Sequence, residues 1–189
     1  MPKINRHGKA TALTDEQLDQ LIAAAPSDCY RTLWILQRWT AARIGEALAL
    51  TWADVAGGVV TFRRATTKTR RTRQIMQSPH LVRELAAWRD EWARMNGRTP
   101  CGDDHLFPGR FGPNESLTRQ AADMALRKAV LNAGLVGVST HSFRRSLAQR
   151  VVRQTNDLRL AMEITGHKSL GSLGEYLGVD EDAIAAVLS

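Results

Sequence analysis

From residue 14 to residue 96 the apolar residues keep a helical spacing, and that spacing breaks only once. Leu18, Leu21 and Ile22 follow the capping box Thr14-Asp-Glu-Gln17, so a helix opens there. YRTLWILQRW (30–39) reads as a second, buried helix, and Ala42 to Leu50 as a third that carries Ile44, Leu48 and Leu50. Then the period changes. VVTF (59–62) and TRQIM (72–76) read as strands joined by the charged connector RRATTKTRR. Ser78-Pro79 restarts the helical pattern with a cap and a proline at the first position, and Leu81, Leu85, Trp88 and Trp92 form its stripe up to Gly97. A short strand pair flanked by helices can bury itself only against them. The pattern therefore predicts a mainly α fold with a small antiparallel β-sheet, of the α+β class. Residues 98–116, with three prolines and three glycines, read as loop. Helices are expected over 118–133, 142–153 and 157–164, and shorter ones over 169–176 and 180–188. No repeat or low-complexity linker divides the chain, so the helices are expected to share one core.

The charge narrows the function. The formal net charge of +7 favours a polyanionic partner, because neutralising phosphates releases condensed counterions and gives affinity independent of sequence. No run of about 18 apolar residues occurs, and the N-terminus is polar and basic. A soluble, cytoplasmic protein without a membrane partner is expected. Cys29 and Cys101 stand far apart with no metal-like spacing, which suits two free thiols and no zinc site.

Several polar residues then ask for a role. In THSFRR (140–145), His141 and Arg144 fall one helical turn apart near a helix N-terminus, where backbone N–H groups and the helix dipole favour an anion. Arg43 and Glu46 lie three apart on neighbouring faces. Lys68 sits in the charged connector, and in GHKSLGSLGEY (166–176) Tyr176 follows His167 by nine residues. Taken singly, each also fits an ordinary role: a solvated arginine or lysine, a histidine at a helix end, a core tyrosine.

Taken together and in this order, they resemble the catalytic domain of the tyrosine recombinases, or phage integrase family, over nearly the whole chain. TAARIGEALALTWADV (40–55) looks like the family's first-arginine box, TTKTRRTRQIMQ (66–77) like its hairpin lysine, THSFRR like its His-x-x-Arg, and GHKSLGSLGEY like its closing Gly-His box with the tyrosine. The resemblance implies strand cleavage and rejoining on double-stranded DNA through a 3′-phosphotyrosyl intermediate, without metal, ATP or cofactor. It implies Tyr176 as nucleophile, Arg43 and Arg144 as phosphate clamps, and Lys68 as proton donor to the departing 5′ oxygen. His141 is implied in proton transfer around the tyrosine, His167 as a hydrogen-bond partner of the phosphate, and Glu46 as a residue that orients its neighbours. It further implies a homo-oligomer, a tetramer on DNA, with nucleoid association when bound.

The departures are specific. Ala41 stands where the family usually has glycine, Arg145 where histidine often follows the second arginine, and Ser172-Leu173 where threonines commonly precede the tyrosine. Residues 1–12 read as a basic arm and 13–189 as a single catalytic domain, without the family's usual separate DNA-binding domain in front. An excised catalytic domain and a natural single-domain protein both fit. Two other functions stay open: a DNA-binding regulator that has lost catalysis, and DNA relaxation of the type IB topoisomerase kind. The acidic start and apolar stripe of VDEDAIAAVLS suggest a tail that docks, on its own domain or on a neighbour.

Overall fold

Thr14 opens the first helix as its sequence requires: its hydroxyl accepts from the Gln17 N–H at 3.2 Å, and the Gln17 side chain accepts from the Thr14 N–H at 3.0 Å. The computed structural model describes residues 9–67 and 70–177. In chain order the elements are α1 (Asp15–Ala23), α2 (Asp28–Thr40), α3 (Ile44–Leu48), β1 (Val59–Phe62), β2 (Arg73–Met76), α4 (Pro79–Asn96), β3 (Pro108–Gly109), β4 (Gly112–Ser116), α5 (Arg119–Asn132), α6 (Thr140–Thr155), α7 (Leu158–Thr165) and α8 (Leu170–Leu177). A 3-10 turn over Trp52–Val55 follows α3. The mainly helical reading and the antiparallel pairing of 59–62 with 73–76 therefore hold. Lys68, most of the basic arm and the 180–188 tail lie outside the described residues.

α2 is the central helix. Leu33, Trp34 and Leu36 on it are all but fully buried, with α4 on one side and α6 on the other. Trp34 stacks on Phe143 of α6 at 6.5 Å between ring centroids. The strand pair docks on this body through Val60 and Phe62, whose side chains face inward while Thr61 faces out, the period-2 alternation of a half-buried strand. Phe62 pairs with Arg73 across the ladder.

Two expectations are corrected. The third helix is shorter than 42–50: it starts at Ile44, because Glu46 at its third position accepts from the Arg43 N–H and fixes Arg43 as the cap. Residues 98–116 are not all loop, since β3 and β4 form a small antiparallel hairpin there. It lacks β-branched alternation because its neighbours hold it. Leu106 and Phe107 are buried, the Trp88 indole donates to the Leu106 carbonyl at 2.8 Å, and the Leu106 N–H donates to the Leu50 carbonyl.

The buried apolar residues form two clusters. The larger spans α1, α2, α4, the strands and α5. The smaller gathers Ala41, Leu147, Ala148, Val151, Ala161 and Leu173 from the end of α2 and from α6, α7 and α8. α6 serves both, with Phe143 in the first and Leu147 in the second, so its first turns lie along the seam. The polar site is built on that seam.

Candidate active site

The first arginine is positioned by an unusual backbone turn. α2 ends at Ala41 with φ +52° and ψ 26°, a left-handed conformation that a β-carbon disfavours and glycine tolerates. This is the position where the resembled family carries glycine. The turn reverses the chain so that Arg43 caps α3 and the Ala41 carbonyl points into the seam. Glu46, only 3% exposed, takes the Arg43 guanidinium at 2.8 Å as well as its backbone N–H at 3.0 Å. Arg43 and Glu46 are thus one unit, as the spacing suggested.

α6 delivers the second arginine. Ser139 caps it, and His141 and Arg144 lie in its opening turns. Arg144 is 0% exposed, and its Nη1 donates to the Ala41 carbonyl at 2.8 Å. Its Nε and Nη2 have no hydrogen-bond partner among the described residues, nor has Nη2 of Arg73 or Nε2 of His167. Buried polar atoms without partners are rare because each loses its hydration without replacement. Arg144 nevertheless forms part of the wall of a cavity of about 380 Å³ that Arg43, Thr67, Arg119 and His141 also line. Arg43 and Arg73 pair with the Glu46 carboxylate, and Arg144 lies within its electrostatic reach, so among the described residues three guanidiniums share that one carboxylate. This is a site for an anion with several oxygens.

His167 and Tyr176 close it. Thr165 gives its only hydroxyl proton to the Ala161 carbonyl, so at 2.7 Å from His167 Nδ1 its oxygen accepts, and the neutral imidazole carries its proton on Nδ1. Burial first, and then Arg144, Arg43 and Arg73, push the His167 pKa down to about 4. The ring is neutral at pH 7 and presents a bare Nε2. The Tyr176 ring packs against His167 at 4.6 Å between centroids and lies 5.7 Å from the Arg144 guanidinium carbon. Its hydroxyl is 3.2 Å from His141 Nδ1, close enough to hand over a proton.

A model of the phage integrase family matches residues 11–182. The chain belongs to the phage integrase family. The tyrosine recombinase XerC of Mesorhizobium japonicum is 36% identical over 141 residues, covering 73% of this chain and 43% of that relative. This integrase-family chain thus spans less than half of that relative's length. Among solved structures, the XerH site-specific recombinase bound to its difH substrate matches with a TM-score of 0.73 and 23% identity over 98% of this chain and 56% of that one. A lambda integrase tetramer bound to a Holliday junction matches with a TM-score of 0.70 and 19% identity over 91% and 49%. The fold of these recombinases is the fold found here.

Of the residues singled out from the sequence, Arg43, Glu46, His141, Arg144, His167 and Tyr176 come together around the seam, and Lys68 lies outside the described residues. Three others were missed. Arg73 of β2 stacks on Phe62 at 4.4 Å, donates Nη1 to the Thr40 and Ile164 carbonyls, and holds a looser ionic contact of 3.5 Å with Glu46. It ties the strand pair to the ends of α2 and α7. Arg119 at the start of α5 lies over Gly45, where a β-carbon would come within 2.0 Å of its guanidinium. Thr165 sets the His167 tautomer. Arg73 and Arg119 looked like two more cations in a basic chain, and only their burial or neighbours distinguish them.

Proposed function

We propose that this chain cleaves and rejoins double-stranded DNA as a site-specific recombinase, through a 3′-phosphotyrosyl intermediate. The observation that carries the reading is the buried Arg144, with two unpartnered donor edges, beside a tyrosine whose hydroxyl meets a histidine nitrogen. A scissile phosphate fits between these groups. Arg144 and Arg43 donate to its non-bridging oxygens, where charge accumulates in the transition state; removing one such donor lowers rates by about 10²–10³-fold. His167 is kept neutral by burial and by the nearby guanidiniums; the anion offsets the guanidiniums' repulsion, so Nε2 takes up a proton and becomes a further donor. Tyr176 attacks phosphorus as its proton passes to His141, the Tyr176–phosphorus bond forms, and the bond to the 5′ oxygen breaks. Lys68 supplies the proton to that oxygen. Rejoining reverses each step and conserves the bond energy.

The XerH and lambda integrase structures, bound to DNA, support double-stranded DNA as the partner, and the lambda integrase tetramer supports assembly as four copies on DNA. On this reading the protein works in the cytoplasm and is nucleoid-associated when bound to DNA. No helix among the described residues is long and apolar enough to cross a membrane.

The test is a nicked suicide substrate that traps the covalent adduct. The wild-type chain gives a protein–DNA band resistant to denaturant; Tyr176→Phe gives none and keeps its DNA affinity within about threefold, since only the attacking oxygen is lost. A wild-type chain that binds DNA yet never forms the adduct would be a DNA-binding regulator instead.

A further inference from the structure

We propose that Arg145 and Gln149 of α6 are positioning residues for the tyrosine, clamping the end of α8 through its backbone carbonyls. This rests on the recombinase reading above, which assigns them no part. Gln149 Nε2 donates to the Tyr176 carbonyl at 3.1 Å and to the Leu177 carbonyl at 2.8 Å, and Arg145 Nη1 donates to the Glu175 carbonyl at 3.1 Å. Three successive carbonyls of the last described turn of α8 are thus held by two side chains one turn apart on α6.

α8 needs such an anchor. It has eight residues, LGSLGEYL, two of them glycine, the weakest helix former after proline, and a helix this short is marginal by itself. Leu173 is its one buried residue. Beyond it, Tyr176 and Leu177 pack only partly buried against the same cluster and the Tyr176 ring rests on His167, so side-chain packing alone resists rotation about the helix axis and sliding along it only weakly, and those motions carry the Tyr176 hydroxyl away from His141. The three carbonyl contacts remove both. They also fix the tyrosine to the helix that bears His141 and Arg144, so nucleophile, base and phosphate clamp share one rigid frame. The histidine that often follows the second arginine in this family is replaced here by Arg145, whose longer side chain reaches the Glu175 carbonyl.

Gln149→Glu tests this without changing side-chain size, because a carboxylate cannot donate to carbonyls, and Gln149→Met does so without adding charge. In single-turnover cleavage of the suicide substrate at saturating DNA, both variants are expected to slow adduct formation by on the order of 10²-fold, the scale of a misplacement of about 1 Å, with the dissociation constant for DNA changed less than about twofold. Arg145→Lys, which keeps a donor, should retain more activity than Arg145→Met. In the DNA-free protein, amide hydrogen exchange over 170–177 should accelerate in both Gln149 variants while the rest of α6 stays protected. Unchanged exchange overturns the clamp. Faster exchange with unchanged or faster cleavage overturns the positioning role, the second result marking a restraint that DNA must release. A wild-type chain that forms no adduct sinks the recombinase reading, and the exchange measurement still decides whether the clamp exists.

Discussion

His167 is the residue at which the site's electrostatics can be measured without DNA. An unfolded chain protonates this imidazole near its ordinary value of about 6.5, whereas the folded site resists protonation down to about 4 because of burial and three nearby guanidiniums. Between those values the unfolded state binds more protons than the folded one. Stability from this group is therefore complete above about pH 6.5 and is lost as pH falls toward about 4. Denaturant midpoints of the DNA-free protein should drop between about pH 7 and about pH 5, and His167→Gln should flatten that part of the curve. An identical slope in the variant would assign the titration to another group. At this scale much of the site was legible through the resemblance: His141, Arg144, His167 and Tyr176 fall, in order, in boxes like those of the family, although each alone also fits an ordinary role. Arg73 was not, because nothing local separates it from Arg70 and Arg71, and its role comes from carbonyls contributed by Thr40 and Ile164, far away in the chain.

Among the elements, the junction of α2 and α3 is where competing magnitudes decide an outcome. Ala41 holds a left-handed backbone at a disfavour of about 1–2 kcal/mol. Replacing it with glycine removes that strain, but it also removes a buried methyl worth about 0.8 kcal/mol and adds about 0.5–1 kcal/mol of backbone entropy to the unfolded chain. The terms nearly cancel. Ala41→Gly should change unfolding free energy by less than about 1 kcal/mol, whereas Ala41→Val, branched at a fully buried left-handed position, should lose about 3 kcal/mol or more. Equilibrium denaturation distinguishes the two; a large gain from glycine would mean the methyl contributes little to its cluster. Element positions were mostly readable, since capping residues and apolar stripes act within a few residues. The β3–β4 hairpin was not, because its stability comes from Trp88, Leu50 and Leu106 rather than from any alternation of its own.

Over the whole molecule, two apolar clusters meet along α6, and the cationic site occupies the line where they meet. A buried guanidinium with unpartnered donors opposes folding by several kcal/mol, of which its bond to the Ala41 carbonyl returns only about 1.5–3 kcal/mol. An anion that binds only the folded site adds RT ln(1 + [L]/Kd), about 2.7 kcal/mol at a hundredfold excess over Kd. Inorganic sulfate or phosphate should therefore raise the melting temperature of the wild-type chain above that in chloride of equal ionic strength. Arg144→Met should lose this response while melting no lower than the wild type in chloride. If Arg144→Met instead melts well below the wild type in chloride, the guanidinium is a net stabiliser and its open donors are not a burden on the fold. The expected result also bears on how such a chain evolves. A laboratory selection for heat resistance alone would accept apolar replacements of Arg144 early, and the survivors would be sturdy proteins with no grip on phosphate. Selection that also scored the proposed DNA cleavage would keep that arginine in place.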